Sequence, residues 1–439
     1  MLLVSYYYPP LGGIGSLRAL KFATHLRSFG FEATVLTVSN GAYFVDHSLA
    51  FDPAQVERCS SFELSRLGKR VVDPRSGDVR SARVGGLARR VQSFVRRWLY
   101  RPDGQIGWYP GAVAAGRRLL RERRFDVIFS SSGPMTAHLI ARRLKRDFDI
   151  PWVADVRDPW ADAVDADPAQ HAYREHLERD LLREADEVVA VSPSLAAMLS
   201  RRSGRLVHVV TNGFDPSDIP ARPEERRDEI VFVHLGSFYP HMQDLRVLWP
   251  AIRELAERAP GRVRIRFVGE LPRALGETLS AIGLGGLTES TGFLPYRAAL
   301  ARVVEASVLV VGGSRGVDPI LKCLLPAKLF DYLGTDRPII YVGDLDSDAA
   351  RLLSSVPGCE AVGVDDVESA KKAIARFLAS GPFPRSLDKY TRRHLAGELA
   401  GILRAAMARA TRRRTEDPRV GQRSQESGPR HSGIGQAGP

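Results

Sequence analysis

Apolar strand-like runs alternate with amphipathic helical segments along most of this chain, and few architectures accommodate that order. The alternation predicts parallel sheets wrapped by helices. In the first half the strand candidates are Leu2–Tyr7, Ala33–Val38, Val127–Ser130, Trp152–Asp155, Glu187–Val191 and Val207–Thr211. In the second half they are Ile230–Leu235, Arg264–Val268, Val308–Val311 and Pro338–Val342. Between the halves, Asp215–Asp228 carries Pro216, Pro220, Pro223 and many charges, the composition of a linker. The fold class is therefore α/β, with doubly wound parallel sheets in two domains, residues 1–215 and 229–393, joined by residues 216–228. Residues 394–410 read as a helix with apolar Leu395, Leu399, Ile402 and Leu403. Residues 411–439, rich in Gly, Ser, Arg and Gln, read as a disordered tail.

With 439 residues, 44% of them hydrophobic and 26% charged, the chain has the make-up of a globular protein of two or three domains. No apolar run approaches the length of a membrane-spanning helix. The opening Met1–Pro10 has neither a basic region nor a small-residue cleavage site, so it is expected to be a core strand and not a signal peptide. Cys59, Cys323 and Cys359 are widely spaced, which argues for a reducing, cytoplasmic compartment and against a disulfide framework or zinc site. The net charge of +12 favours an anionic partner. No recognised nucleic-acid module accompanies it, so nucleic acid is not expected among the partners.

The strand candidates end in small and polar residues: Ser130–Gly133, Asp155–Asp158, Ser192–Ser194, Asn212-Gly213, Gly236-Ser237, Gly269-Glu270 and Gly312–Arg315. Doubly wound sheets bind ligands beyond the carboxyl ends of their strands. Glycine and serine also simply make turns, but a series of such ends in both halves favours a cleft between two facing domains.

Several segments carry chemistry. In Leu324–Gly334, Pro326 suits a helix start, Leu325, Leu329, Phe330 and Leu333 share one face, and Lys328 and Asp331 share another. A lysine at a helix start is placed for a phosphate or diphosphate, and an acid one turn on for a ribose or sugar hydroxyl. A surface Lys–Asp pair has the same spacing. Gly12-Gly13-Ile14-Gly15 joins the first strand to a helix over Ser16–Phe29. Arg18 stands where a dinucleotide fingerprint needs glycine, so the segment reads only as a glycine turn facing a ligand. In Asp155–Trp160, Arg157 is suited to a phosphate or carboxylate, and Asp155 or Asp158 to orienting a hydroxyl or acting as a base. An internal salt bridge would use the same residues. His138, on a helix after the serine-rich turn, is a candidate donor or base, or a structural histidine. Asp165-Ala166-Asp167 and Asp344-Leu345-Asp346 lack the flanking strand of a metal-binding acid pair, so no metal is expected. Residues 83–99 read as a basic amphipathic helix, suited to an anionic membrane surface or to packing on the domain.

Taken together, these segments resemble the nucleotide-sugar-dependent glycosyltransferases of the GT-B fold, specifically the family 4 type. The resemblance spans roughly Met1–Met407 and rests on Tyr8–Gly15, Trp152–Trp160, Thr211–Asp215, Thr291–Tyr296 and Pro326–Leu333. It implies two Rossmann-like domains, an acceptor-binding N-terminal one and a C-terminal one that binds a nucleotide diphosphate sugar, with the final helix bracing the N-terminal domain. Gly12 and Gly13 would lie where donor diphosphate meets acceptor, Lys328 on the diphosphate and Asp331 on the ribose. The family's usual glutamate is replaced by Asp331, a second one by Cys323, and its Arg…Lys pair by Gly236–Tyr239. Gly236 then lines the donor site, and Arg315 or Lys322 supplies the missing charge.

The expected activity is retaining, metal-independent sugar transfer to an acceptor hydroxyl, with no cofactor beyond the donor. His138, Arg157 and Asp158 are the candidate catalytic residues; Gly12, Gly13, Gly236, Arg315, Pro326, Lys328 and Asp331 are the candidates for donor binding. The acceptor is expected to be a glycan, a lipid-linked saccharide or a small molecule, on a peripheral membrane surface or in the cytoplasm. The alternatives are a non-catalytic GT-B partner subunit and a sugar-nucleotide epimerase on the same fold.

Overall fold

The computed structural model describes residues 1–41, 43–62, 101–162, 168–221, 229–240, 242–315, 319–380 and 382–416. The basic segment 83–99, the acids Asp165 and Asp167, and residues 417–439 lie outside these.

Among the described residues, thirteen strands form two wholly parallel sheets. The first contains β1 (Leu2–Val4), β2 (Thr34–Val38), β3 (Val56–Cys59), β4 (Ile128–Ser131), β5 (Trp152–Val156), β6 (Glu187–Ala190) and β7 (His208–Val209). Its order is β3-β2-β1-β4-β5-β6-β7. The second contains β8 (Ile230–Leu235), β9 (Val263–Val268), β10 (Thr288–Ser290), β11 (Val308–Gly312), β12 (Ile339–Val342) and β13 (Cys359–Val362), in the order β10-β9-β8-β11-β12-β13. Helices cover both faces of each sheet, so strand residues of alternate parity enter two different cores. Leu2 and Val4 pack into one cluster and Leu3 into the other; Ile340 and Val342 oppose Ile339 and Tyr341 in the same way.

Three strands had no counterpart in the apolar pattern: β3, β10 and β13. Each forms an edge of its sheet. Their sequences, VERC, TES and CEAV, are short and partly polar because an edge strand is covered on fewer sides.

The final helix runs over Arg392–Glu416, longer at both ends than its apolar stripe. The six residues from Thr411 expected in a disordered tail are helical. Polar anchors extend the helix there: Thr411 Oγ1 donates to Met407 O at 3.1 Å, Arg414 Nε lies 2.8 Å from Asp149, and Arg413 pairs with Asp186. Leu395, Leu399 and Leu403 of this helix are buried in the N-terminal core. Pro216–Asp218, expected in a linker, forms a 3₁₀ turn; Asp215 caps it and also accepts from Lys21 Nζ at 2.9 Å.

A buried ion pair fixes the helix that follows the glycine turn, Ile14–His25. Arg18 Nε and Nη2 donate to the two Asp155 oxygens at 2.9 and 2.7 Å, and neither side chain is exposed. The remaining donors reach Val210 O at 2.8 Å and Thr211 O at 2.7 Å. Removing one partner would strand the other charge in the core. Arg18→Ala is expected to lower unfolding stability by about 3–5 kcal/mol, read by urea denaturation. Arg18→Lys keeps the charge but not the forked geometry and should fall between it and the native chain.

Candidate functional site

Strand order reverses between β1 and β4 in the first sheet and between β8 and β11 in the second. A crevice opens beyond the carboxyl ends of strands at such a reversal. The candidate residues are distributed over these two places.

In the N-terminal domain the chain leaves β1 and turns through Gly12 and Gly13 into the first helix. Gly13, the N-cap, has φ 80°, a conformation that favours glycine. Gly12 is required by packing: a Cβ there would lie 2.1 Å from the Phe44 ring and 2.9 Å from Asp46 Cβ. Its N–H donates to Phe44 O at 2.9 Å. The segment 43–46 thus covers the glycine turn. The Tyr43 ring packs on Tyr7 with centroids 5.2 Å apart.

Arg157 follows β5. Its backbone N–H donates to Ser132 Oγ at 3.0 Å and its Nη1 to Gly15 O at 3.2 Å, so it joins the glycine turn to the end of β4. Burial lowers its pKa from the ordinary arginine value. Asp158 is exposed beside it. His138 is fully enclosed, on the Thr136–Phe148 helix. Its Nδ1 lies 2.7 Å from Ser130 Oγ, which also accepts from Trp152 Nε1 at 2.7 Å. Burial brings its pKa down to about 4, so the ring is neutral at pH 7. The structure brings Arg157 to the glycine turn but holds His138 inside the domain.

In the C-terminal domain Gly236 follows β8 with φ 80°. Lys328, on the Ala327–Leu333 helix, sends its ammonium back over the carboxyl end of β8, where it donates to His234 Nε2 at 3.0 Å. Burial drops the Lys328 pKa to about 7. Pro326 is the N-cap of this helix, one residue before its first turn.

Asp331 is buried, and Tyr296 Oη donates to it at 2.8 Å. Burial pushes its pKa up to about 6, against the smaller opposing effects of the Tyr296 hydrogen bond and Arg392. Lys328 and Asp331, expected on one exposed face, point to different partners. The one meets His234; the other meets Tyr296. Arg315 is engaged by Asp244 at 2.9 Å and Asp365 at 2.7 Å, and Lys322 by Asp344 and Asp346, each at 3.1 Å. Both side chains are thus paired with carboxylates. Among the described residues, no three His, Cys, Asp or Glu side chains converge as a metal-holding group.

The two domains touch across the cleft. Phe44 packs on Phe293 with centroids 4.1 Å apart, and Asp46 Oδ2 accepts the Tyr296 N–H at 2.8 Å. Ser192 Oγ donates to Cys323 O at 2.8 Å. Ser194 donates to Asp348 through its N–H at 2.9 Å and its Oγ at 2.7 Å. The Asp46–Tyr296–Asp331 chain therefore couples an N-terminal loop to the candidate ribose carboxylate. Asp46 and His234 had no local signal in the sequence. Tyr296 was visible only as part of Thr291–Tyr296, and Arg18 only as a missing glycine.

The raised Asp331 pKa makes stability depend on pH. Unfolded, this carboxyl ionises near the ordinary 3.8; folded, it holds its proton to about 6. Its burial therefore costs nothing below the lower value, and stability is lost as pH rises from there through the higher one. Asp331→Asn should raise stability at pH 8 by roughly 1–3 kcal/mol and leave it nearly unchanged at pH 3.5. Chemical denaturation at the two pH values reads the difference.

Comparison with known proteins agrees with this fold. Residues 12–213 match the model of the glycosyl transferase 4-like domain. No curated protein matches the chain in sequence. Among solved structures, sucrose-phosphate synthase from Thermosynechococcus elongatus superposes with a TM-score of 0.56 at 15% identity, over 94% of this chain and 98% of that one. HepE of Anabaena, solved with UDP and glucose, gives 0.55 at 15% identity, over 95% and 98%. The lipopolysaccharide outer core galactosyltransferase WaaB gives 0.53 at 12% identity, over 91% and 98%. At such identities the likeness establishes the fold, which is GT-B.

Proposed function

We propose, from the premise that this chain carries a glycosyl transferase 4-like domain on a GT-B frame, that it transfers a sugar from a nucleotide diphosphate sugar to an acceptor hydroxyl. The observation that carries the reading is Lys328. Its ammonium stands over the carboxyl end of β8, at the strand-order reversal, and its polar partner there is an imidazole and not a carboxylate. A lysine so placed can receive the diphosphate and stabilise its charge as it leaves. Asp331 lies three residues on, placed for the ribose once Tyr296 Oη gives way. The acceptor is assigned to the N-terminal crevice, with Arg157 beside the glycine turn. Closure of Phe44 on Phe293 excludes water from the transfer.

The finer reading is retention of anomeric configuration without a metal. What supports it is the Lys328 ammonium, which offers charge to the leaving diphosphate, and HepE of Anabaena, with the same fold, which was solved with UDP-glucose. The acceptor class is read as a glycan, lipid-linked or polysaccharide precursor, from the basic sequence of residues 83–99 alone. Flotation with anionic vesicles tests that part, and no binding would remove it.

The donor assignment is tested by thermal melting with UDP, GDP, dTDP and ADP and their sugars. One nucleotide family is expected to raise the melting temperature. Lys328→Ala and Asp331→Ala should weaken that nucleotide at least tenfold, equivalent to about 1.4 kcal/mol or more, while each variant stays folded. Unchanged affinity in both would refute the assignment. Product analysis then distinguishes transfer, which gives free nucleotide and an extended acceptor, from epimerisation.

A further inference from the structure

His234 is a buried histidine on β8 that no step above uses. It is 1% exposed, and its ring packs against Phe238 and Phe267 with centroids 5.5 and 5.6 Å away. Nε2 is the nitrogen that meets Lys328 Nζ. The adjoining Leu235 N–H is tied down at 2.7 Å by Tyr332 Oη, from the same helix as Lys328. Strand and helix are therefore tied together at this point, and two aromatic rings enclose the imidazole.

The surroundings decide which protonation state the pair adopts. Burial first and the neighbouring Lys328 second hold the His234 pKa well below the ordinary imidazole value. Gln243 also faces the ring. On Lys328, burial is the acting influence. Asp331, one turn on, is turned towards Tyr296. The imidazole is thus a neutral acceptor, and the ammonium keeps two N–H donors beyond the one spent on Nε2.

We propose that His234 is a positioning residue of the donor site: its Nε2 aims the Lys328 ammonium at the diphosphate of the incoming nucleotide. This inference rests on the reading of Lys328 as the diphosphate-binding lysine. A lysine side chain is a flexible point charge, and fixing it before the ligand arrives removes part of the ordering cost of binding. The acceptor is also well chosen. A carboxylate in its place would hold the ammonium by charge and compete with the diphosphate, whereas a neutral imidazole orients it without neutralising it. One consequence concerns pH: with Lys328 titrating near 7, nucleotide affinity is highest below that value and falls as pH rises through it.

The test is calorimetric titration of the full chain with UDP and GDP, using whichever binds. Affinity should fall roughly tenfold or more between about pH 6.5 and about pH 8.5. At pH 6.5, His234→Phe should bind roughly tenfold more weakly, while His234→Gln, whose amide oxygen can accept from Nζ, should recover most of the loss. The melting temperatures without nucleotide verify that each variant is folded. Should His234→Phe not fold, His234→Asn, whose amide is too short to reach Nζ, carries the same expectation. In the native protein itself, nitrogen-15 spectra should show Nε2 without a proton and shifted on adding nucleotide. Native affinity in the folded acceptor-less variant, with Lys328→Ala still impaired, would overturn the role of His234 and leave the donor site standing. Native affinity in Lys328→Ala, or no nucleotide bound by the native chain, would overturn the donor site and this inference with it.

Discussion

The Arg18–Asp155 pair holds the N-terminal half of the cleft together. Two charges without solvent exposure are tolerable only when their hydrogen-bonding capacity is met. Here the guanidinium forks onto the carboxylate and spends its remaining donors on the Val210 and Thr211 carbonyls, and Ser131 Oγ donates to Asp155 at 2.7 Å. The pair thus ties the helix after the glycine turn to β5 and to the chain leaving β7. Arg157, two residues beyond Asp155, is placed against Gly15 by the same anchor. An arginine that breaks a dinucleotide fingerprint turns out to be what positions the turn.

The C-terminal half is organised differently. Its cleft residues meet neutral or hydroxyl partners: Lys328 an imidazole, Asp331 a phenol. Burial moves both pKa values towards neutrality, the lysine down and the carboxyl up. Ion pairs would have fixed both groups at full charge and saturated them. Arg315, with Asp244 and Asp365, and Lys322, with Asp344 and Asp346, are instead paired with carboxylates. The kind of partner, a neutral imidazole against carboxylates, thus separates Lys328 from Arg315 and Lys322.

Contacts between the domains link the two halves. Asp46 accepts from the backbone N–H of Tyr296, and the Tyr296 hydroxyl donates to Asp331. Movement of the N-terminal loop is therefore felt at the candidate ribose carboxylate through one tyrosine. Phe44 takes part at both ends, filling the space above Gly12 and packing on Phe293.

The parallel sheets were legible in the sequence because central strands, covered on both faces, are largely apolar: ten runs correspond to β1, β2, β4–β9, β11 and β12, β7 alone of these lying at an edge. The sequence also placed the glycine turn after the first strand, and Lys328 and Asp331 on one helix, because turn and helix signals are local properties. The edge strands β3, β10 and β13 escaped it because an edge needs little apolar surface. Tertiary structure decided which candidates have partners. His138 looked available on its helix and is enclosed, because Ser130 and Trp152 close over it from neighbouring strands. Lys328 and Asp331 share a helix but face different neighbours, 94 and 35 residues away in the chain. Spacing along a helix says which side chains are near each other; only packing against distant strands says what they touch, and so which of them keep a charge or a donor to offer a ligand.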